Sequence, residues 1–336
     1  MFLLLLPAVL VRMEDLSSIQ APVADELIHF REDFAASMKS STRRLQTSID
    51  FLLATSGKQI RPLLTLLAAK ACGTVTKDTV NAAVLLELLH TATLIHDDVV
   101  DETKLRRGNP SLNAVFDNRI AVLTGDYVLS TALARAIQTG NLHILRIVSN
   151  LGRELSEGEI AELEAVEESL LDEARYMHII HKKTASLLSA CAEIGALSAG
   201  AGDEAVAVCR EFGKHLGYCF QIKDDIFDYY KDTDIGKPTG NDIREGKVTL
   251  PLLYALREGE KEAAASALRI IRSQSFTEEN IDTLLSFAKQ SGGIEYAEGK
   301  MKEHFAEAVK LLDKLPVSTA RASLAALANY IVIRKK

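Results

Sequence analysis

The amino-acid sequence predicts an all-α fold. Apolar residues recur at helical spacing in long stretches, for example at Leu63, Leu66 and Leu67. The alternation of apolar and polar residues that is typical of strands is nearly absent. The seven prolines, among them Pro62 and Pro251, stand where elements are expected to begin or end, which suits a chain of helices.

Two segments are expected to form the centre of this fold. Residues 84–100 are apolar on nearly every face of a helix, and residues 212–227 are almost as apolar. Helices of this kind lie inside a bundle and not at its surface. Each segment carries a cluster of aspartates at its C-terminal end, so the sequence places acidic side chains on its two most buried helices.

The 336 residues are expected to form a single domain. Apolar residues make up 47% of the chain and charged residues 25%, which is ordinary for a soluble globular protein. No Ser/Gly linker or low-complexity tract divides the sequence, and helical folds of this length can share one core. The acidic stretch 154–173 is interpreted as a solvated helix face rather than a site, with the alternative that its first turns lie near a pocket.

The charge and the cysteines limit the classes of function. With 39 basic and 46 acidic side chains, the formal net charge of −7 argues against non-specific binding of nucleic acid. A net-acidic protein that binds a polyanion must gather Lys and Arg locally or recruit metal ions. The cysteines show neither a CxxC pair nor metal-site spacing, which indicates reduced core residues: they are Cys72, Cys191, Cys209 and Cys219.

Residues 1–12 are read as an apolar extension or a misassigned start. The apolar run is too short to cross a bilayer. It lacks the cationic front and cleavage site of a secretory signal, because its first charge is Arg12, next to a second methionine at Met13. No later segment is expected to span a membrane, so the protein is predicted to be soluble and cytoplasmic.

Both aspartate clusters have the form DDxxD. The first contains Asp97, Asp98 and Asp101, and the second contains Asp224, Asp225 and Asp228. Side chains four residues apart lie on one face of a helix. The first and last aspartate of each cluster are therefore expected to project together, with the middle one turned about 100° away.

This crowding of carboxylates predicts a magnesium site. Three acids on an otherwise apolar helix repel one another and stay ionised only if cations neutralise them. Carboxylates with room for water and phosphate oxygens suit Mg²⁺. A solvated helix end would explain one cluster but explains the pair badly. The alternating ligands, central Gly and terminal Glu of an EF-hand are missing from both.

Basic residues that could bind phosphate groups stand near both clusters. Lys58 and Arg61 precede a helix, and Arg61 is expected outside helical geometry because Pro62 follows it. Further candidates follow along the chain, namely Arg106, Arg107, Lys183, Lys237 and Lys247. A nucleotide kinase is disfavoured because no Walker A loop exists, and no motif of a thiol or serine hydrolase is found.

At this point the sequence resembles the trans-isoprenyl diphosphate synthase family, particularly its octaprenyl-like polyprenyl members. The matching segments, in family order, are GKQIRP at 57–62, LLHTATLIHDDVVDETKLRRG at 88–108, GD at 125–126, KTA at 183–185, FQIKDDIFD at 220–228 and GKPTGNDIREGKVTLP at 236–251. The resemblance implies the isoprenoid synthase fold, a bundle of about a dozen helices around a central cavity. The usual GGKRxRP differs here at Ser56 and Gln59, which puts only the local shape of that loop in doubt.

The resemblance also implies roles for individual residues. Asp97 and Asp101 are expected to bind two Mg²⁺ ions and Asp224 a third, with Asp98, Asp225 and Asp228 in support; Asp97, Asp101, Asp224 and Lys183 form the expected catalytic set. The expected ligands of isopentenyl diphosphate are Lys58, Arg61, His90 and Arg107. Those of the allylic diphosphate are Arg106, Lys183, Thr184, Gln221, Lys237 and Lys247. His96, beside Asp97, is read as a hydrogen-bonded structural histidine.

The implied reaction joins an allylic diphosphate to isopentenyl diphosphate through an allylic carbocation, with no protein nucleophile. The small Ala92 and Thr93, about one turn before Asp97, leave room for a growing hydrocarbon. A product from heptaprenyl to decaprenyl diphosphate is therefore expected. The floor of the tunnel is sought deeper, near Tyr127, Leu129 and Leu133.

Three alternatives stay open. The first is a short-chain geranylgeranyl diphosphate synthase. The second is a class I terpene cyclase, although the second cluster, DDIFD, departs from the mixed metal motif of cyclases. The third is a non-catalytic partner subunit, which should have lost site residues that this chain keeps. The resemblance also implies a homodimer, and a lipid product would allow loose membrane contact.

Overall fold

A computed structural model of the protein describes residues 15–54, 57–106, 108–169, 171–230 and 239–334. The all-α prediction is confirmed. The helices are α1 (Leu16–Gln20), a 3₁₀ turn (Ala21–Val23), α2 (Ala24–Ser37), α3 (Arg43–Leu53), α4 (Ile60–Cys72), α5 (Lys77–Val100), α6 (Leu112–Phe116), α7 (Asn118–Gln138), α8 (Leu142–Glu167), α9 (Glu173–Ile180), a π-helical turn (His181–Ala185), α10 (Ser186–Ser198), α11 (Asp203–Phe227), α12 (Asn241–Arg244), α13 (Leu250–Glu258), α14 (Lys261–Arg272), α15 (Glu278–Gln290), α16 (Gly293–Leu312) and α17 (Thr319–Ile333).

The two segments expected at the centre of the fold lie in α5 and α11. Helix α5 begins with a capping box between Thr76 and Thr79 and packs against α4, α7 and α10. Helix α11 packs between α10 and α16. Most residues of α5 from Thr79 to His90 are buried, as expected for a helix that is apolar all round.

The aspartate clusters close these two central helices. Asp101 is the C-cap of α5, and Asp228 is the C-cap of α11. The C-terminal end of a helix carries a partial negative charge from its unpaired carbonyl groups. Both clusters therefore add carboxylates to a helix end that already favours cations.

One local expectation was wrong. Arg61 was expected outside helical geometry, but α4 begins at Ile60 after Gln59, which adopts a left-handed conformation. Pro62 sits in the first turn of α4, where its missing N–H is not needed. The basic segment after the first cluster forms a two-stranded hairpin of β1 (Leu105–Arg106) and β2 (Asn109–Pro110), with Gly108 at a φ of 78° between the strands.

The expectation that no later segment spans a membrane is not overturned by two helices that match a span in length and composition alone. Within the described ranges, Lys77–Val100 and Asn118–Gln138 are both long and apolar enough by composition. In α5, 72% of the apolar window is buried inside the protein, as in the core helix of a soluble protein. In α7 the buried share is 33%, so this helix exposes much of its apolar surface. Residues 1–12 lie outside the described residues.

Candidate active site

A cavity of about 760 Å³ opens between the C-terminal ends of α5 and α11. Helix α8, the π-helical turn and the segment from α12 to α13 complete its wall. Several side chains predicted for the site line it, namely Arg61, His90, Thr93, Asp97, Asp101, Arg106, Lys183, Thr184, Gln221, Asp224, Asp225 and Lys247. The fold therefore brings together residues that lie up to 186 positions apart, from Arg61 to Lys247 (247 − 61 = 186).

In the first cluster, Asp97 and Asp101 face the cavity and Asp98 does not. Asp98 is 5% exposed, and its carboxylate pairs with Arg106 at 2.7 Å from Nε and 2.6 Å from Nη2. The carboxylate thus fixes the guanidinium of Arg106 at the rim of the cavity. Burial raises the pKa of Asp97 to about 7, and the negative charges of Glu159 and Asp101 act in the same direction.

In the second cluster, Asp224 and Asp225 face the cavity and Asp228 does not. Asp228 accepts hydrogen bonds from the backbone N–H groups of Asn241 (2.9 Å) and Asp242 (3.0 Å). These are the first N–H groups of α12, which have no partner within the helix. Asp228 therefore anchors the short helix α12 to the end of α11.

A chain of hydrogen bonds holds Asp225. Its carboxylate accepts from the hydroxyl of Tyr176 at 2.6 Å and from the amide of Gln221 at 2.8 Å. The hydroxyl of Thr184 donates to the amide oxygen of Gln221 at 2.7 Å, which fixes the orientation of that amide. Burial raises the pKa of Asp225 to about 7, against the lowering effect of these two hydrogen bonds.

The lysines at the cavity are held by two glutamates of α8. Lys183 Nζ lies 2.8 Å from Glu159 and 2.6 Å from Glu162. Lys247 Nζ lies 3.1 Å from Glu162, 2.8 Å from Glu245 and 4.0 Å from Asp101. Burial alone would lower the pKa of Lys183, but Glu162 and Glu159 outweigh burial and raise it. Both lysines are thus kept charged at fixed positions.

Two residues of the acidic stretch 154–173 lie at the cavity, in the first turns that the sequence left open as near a pocket. Glu159 and Glu162 line the cavity on the inner side of α8. The pKa of Glu162 is lowered: burial opposes its ionisation, but Lys247 and Lys183 outweigh burial. The sequence does not single out Glu159 and Glu162 among the acids of this run, because their basic partners are 21 to 85 residues away (183 − 162 = 21; 247 − 162 = 85).

The close approach of α8 to the π-helical turn depends on glycine. A Cβ at Gly158 would lie 2.7 Å from Lys182 Cβ and 2.9 Å from Lys183 Cγ. On the opposite side, a Cβ at Gly217 of α11 would lie 2.4 Å from the Cα of Ala185. The turn that carries Lys183 is thus packed between α8 and α11, each of which contacts it closely at a glycine.

The residues predicted for isopentenyl diphosphate occupy the start of α4 and the middle of α5. Arg61 and His90 line the cavity. Lys58 lies before α4 and outside the cavity wall, with its Nζ 5.6 Å from the ring centroid of Tyr330 in α17. Two predicted residues, Arg107 and Lys237, lie outside the described part of the chain.

Further residues at the cavity were missed by sequence reasoning. Asp242 lines it, and burial together with Asp225 and Asp228 raises its pKa strongly. Arg334, just after α17, places Nη2 2.5 Å from Asp224 Oδ1 and stacks its guanidinium 4.3 Å from the ring centroid of Phe220. Asp242 lay inside a matching segment, whereas nothing in the sequence pattern pointed to Arg334.

The apolar wall differs from the one expected. Thr93 lines the cavity, whereas Ala92 is 1% exposed and is packed in the core. The expected floor residues Tyr127, Leu129 and Leu133 do not line it, and Leu133 is 41% exposed. The apolar side chains that line the cavity near Thr93 and the π-helical turn are Leu94, Leu155, Ile160, Ile179, Ile180 and Leu187.

His96 lines the cavity and also contacts α7. Its Nε2 is 3.3 Å from the backbone oxygen of Val122 and 3.4 Å from Asp126 Oδ1. The GD segment at 125–126 therefore contacts the helix of the first cluster directly. It supports that helix from the side and does not itself line the cavity.

Comparisons with known proteins point to one family. The profile of the polyprenyl synthetase family matches residues 42–287. The octaprenyl diphosphate synthase of Haemophilus influenzae is 37% identical over 285 residues, which cover 84% of this chain and 86% of that protein. A crystal structure of a polyprenyl synthase from Caulobacter crescentus, complexed with calcium and isoprenyl diphosphate, superposes with a TM-score of 0.91 at 31% identity and covers 97% of this chain and 99% of its own.

A geranylgeranyl pyrophosphate synthase from Bacteroides thetaiotaomicron is 42% identical, with a TM-score of 0.81 and coverage of 95% of this chain and 99% of its own. The proteins that this chain is similar to thus bear the names of both long-chain and short-chain synthases. These names agree on the class of enzyme and differ on the length of the product.

Proposed function

Since the chain belongs to the polyprenyl synthetase family, we propose that it transfers the prenyl group of an allylic diphosphate, such as farnesyl diphosphate, to isopentenyl diphosphate. Its product would be an all-trans polyprenyl diphosphate from heptaprenyl to decaprenyl. One observation carries the proposal: two acidic helix ends and two held lysines line one cavity that continues into an apolar wall.

The donor set fits magnesium bound together with a diphosphate. Among the described residues, no three acidic, histidine or cysteine side chains converge closely enough to hold an ion by themselves. Mg²⁺ commonly takes one or two carboxylates and fills the rest of its shell with water and substrate phosphates. The raised pKa values of Asp97 and Asp225 mark carboxyl groups whose negative charge lacks compensation.

We assign Asp97 and Asp101 to two Mg²⁺ ions, and Asp224 would hold a third. When bound, Mg²⁺ would stabilise the negative charge on the departing diphosphate. Asp98 and Asp228 act differently, since one orients Arg106 and the other anchors α12. An ion at Asp224 would share that carboxylate with Arg334 or displace it.

Lys183 and Lys247 would bind the allylic diphosphate beside the first cluster, since Lys247 Nζ lies 4.0 Å from Asp101. The glutamates that hold them keep both ammonium groups charged and prevent them from folding outward. Because these charges are fixed before the substrate arrives, little reorganisation is needed as charge develops on the leaving group. Arg106, Thr184 and Gln221 complete this half of the site.

Arg61 and His90, with Lys58 at the entrance, would orient isopentenyl diphosphate. Its double bond then lies next to the carbon that loses diphosphate. The double bond attacks that carbon, and a proton leaves the adduct for the departed diphosphate. We assign no general base to the chain, because the departed diphosphate can accept the proton.

We further propose that the chain acts as one unit and as a homodimer. One hydrophobic cluster joins buried residues from Ile19 in α1 to Ile331 in α17, which supports a single domain. Helix α7 exposes Val122, Leu123 and Ile137, an apolar face that a second copy would cover. Leu123→Lys should therefore shift the sedimentation of the protein toward the monomer. Its lipid product would require no more than loose membrane contact.

The test is the length of the product. The purified protein is incubated with farnesyl diphosphate, labelled isopentenyl diphosphate and Mg²⁺, and the alcohols are sized after dephosphorylation. Chains longer than geranylgeranyl support the proposal. Products that end at geranylgeranyl would support the condensation reaction and reject the proposed product length. Folded protein that yields no condensation would favour a terpene cyclase or a partner subunit.

The apolar wall can be tested in the same assay. Thr93→Phe would place a ring in the cavity and should shorten the product. Leu133→Phe is the control, because this side chain is exposed on α7 and lies outside the cavity. Equal product lengths for Thr93→Phe and the parent protein would show that the hydrocarbon grows along another wall.

A further inference from the structure

Cys72 and Cys209 touch each other, although they stand 137 residues apart in the sequence. Their sulfur atoms are 3.5 Å apart. Cys72 is the last residue of α4 and is half-buried, whereas Cys209 lies in α11 and is 1% exposed. We propose that these two thiols form a redox-active pair, which a peroxide converts into a disulfide that links α4 to α11.

The geometry permits this reaction. Sulfur atoms in a disulfide are about 2 Å apart, so the two sulfurs must close by about 1.5 Å. Cys72 is followed directly by Gly73, and four residues that are not helical separate α4 from α5 (Gly73, Thr74, Val75 and Thr76). The end of α4 can therefore shift slightly without disturbing α5.

The environments of the two thiols differ in the way that an attacking and a resolving cysteine require. The hydrogen bond from Cys209 lowers the pKa of the Cys72 thiol. The same hydrogen bond, together with burial, raises the pKa of the Cys209 thiol. Cys72 is thus the more acidic and the more accessible sulfur, and the thiolate is the form that reacts with peroxide.

The chemistry balances with hydrogen peroxide as the oxidant. The Cys72 thiolate attacks one peroxide oxygen, the O–O bond breaks, and hydroxide leaves and takes up the proton lost by Cys72. The resulting sulfenic acid lies beside Cys209, whose sulfur attacks the Cys72 sulfur. The S–O bond breaks and the hydroxyl leaves as water with the proton of Cys209. Two thiols have then lost two electrons and two protons, and one peroxide has become two waters.

The link would lie away from the candidate active site. Arg61 is 11 residues before Cys72, about 17 Å along α4 (72 − 61 = 11). Asp224 is 15 residues after Cys209, about 22 Å along α11 (224 − 209 = 15). A covalent bond between the two helices closes a long loop in the unfolded chain, and its main effect should be on thermal stability.

The experiment treats the reduced full-length protein with hydrogen peroxide and then blocks the remaining thiols by alkylation. Before alkylation we expect the intact mass to fall by two hydrogens; after it, unreduced peptide maps should join the peptides that contain Cys72 and Cys209. Dithiothreitol should separate them. The melting temperature of the oxidised protein should rise by several degrees and return to its starting value on reduction.

Variants separate this outcome from general oxidation. Cys72→Ser should abolish both the link and the thermal shift. Cys209→Ala should stop the reaction at a sulfenic acid on Cys72, which a cyclic dione traps. Cys191→Ala is the matched control and should retain the link, since burial raises the pKa of the Cys191 thiol to about 12 and Cys191 takes no part in the pair.

Three results would overturn the proposal. The first is oxygen added to Cys72 in the parent protein without loss of the Cys209 thiol. The second is a disulfide between the Cys72 residues of two copies, seen as a covalent dimer on a non-reducing gel. The third is a Cys72 thiol that stays reduced while methionines are oxidised. Circular dichroism confirms that each variant is folded before it is compared.

Discussion

The ends of α5 and α11 carry the same five-residue pattern, DDxxD, and use it differently. At the end of α5, the first and last aspartates face the cavity and the middle one turns away to Arg106. At the end of α11, the first and middle aspartates face the cavity and the last one turns away to α12. Helical periodicity decides which side chains can share a face. Neighbouring elements then decide which carboxylates remain at the cavity.

The difference follows from what each helix meets at its end. The hairpin after α5 brings Arg106 back over the helix, next to Asp98. The chain after α11 returns as α12, whose first N–H groups need acceptors and find them on Asp228. The first cluster therefore uses its middle residue, Asp98, to hold Arg106, and the second uses its last residue, Asp228, to hold α12.

The largest expected effect comes from substituting Asp97, which faces the cavity, and comparing it with Asp98, which pairs with Arg106. Asp97→Asn removes a carboxylate from the cavity and should lower kcat about 100- to 1000-fold. Asp98→Asn weakens the pair with Arg106 and should chiefly raise KM for the allylic diphosphate, by about 10-fold. Steady-state kinetics with farnesyl and isopentenyl diphosphates measure both. Equal losses of kcat would mean that the two carboxylates do not have separate roles.

The next effect concerns the glutamate that both lysines share. Glu162→Gln keeps the shape but removes the charge between Lys183 and Lys247, which would then repel each other. We expect kcat/KM for the allylic substrate to fall about 10- to 100-fold. Glu164→Gln, on the same helix but paired with Arg175 at 2.6 Å, should change it little. A normal Glu162→Gln enzyme would argue that the lysines hold their positions unaided.

The raised pKa values predict a pH dependence of stability in protein without bound cations. The pKa of Asp97 and of Asp225 rises from 3.8 to about 7 on folding. Each carboxyl group thus holds its proton more tightly in the folded state, so its contribution favours folding below pH 3.8 and is lost as pH rises toward 7. The melting temperature in a chelator should therefore be lower at about pH 8 than at about pH 5.

Asp97→Asn sharpens this test, because the amide does not titrate. The variant should show a smaller drop in melting temperature between the two pH values and a smaller gain on addition of Mg²⁺. If the variant and the parent protein respond identically to pH and to Mg²⁺, the carboxylate of Asp97 is not the source of the dependence.

The smallest effect is expected at the end of α11. Asp228→Ala leaves the first N–H groups of α12 without their acceptors and should lower the free energy of unfolding by about 1 kcal/mol. Because Asp228 does not line the cavity, kcat should fall far less than in Asp224→Asn. Urea denaturation and kinetics on both variants decide this. A greater loss of kcat in Asp228→Ala would place Asp228 among the residues that bind ions.

Local sequence signals predicted the helices and the general position of the site. The apolar character of residues 84–100 and 212–227 is enough to place α5 and α11 in the core, and the acids then fall at their ends. The outward turn of Asp98 relative to Asp97 also follows from helix geometry. These properties depend on residues that are close together in the chain.

The remaining features depend on contacts between distant segments. Nothing near Glu162 indicates that Lys183 and Lys247 will surround it. The position of Arg334 beside Asp224 requires that α17 pack against α11. The shape of the apolar wall was missed for the same reason, because the side of α7 that faces the core depends on how α5 and α7 pack.

Because His181–Ala185 form a π-helical turn, the number of residues in this turn matters as much as their identity. A π turn accommodates one residue more than the corresponding turn of α-helix. Deletion of one residue between His181 and Ala185 would restore α-helical winding and remove the bulge that carries Lys183. Lys183 would then no longer face Glu162, even if every side chain that contacts substrate were kept. Single-residue insertions and deletions should be tolerated in the loop between α14 and α15 but not here, so a gap at this position in a related sequence would signal a changed active site.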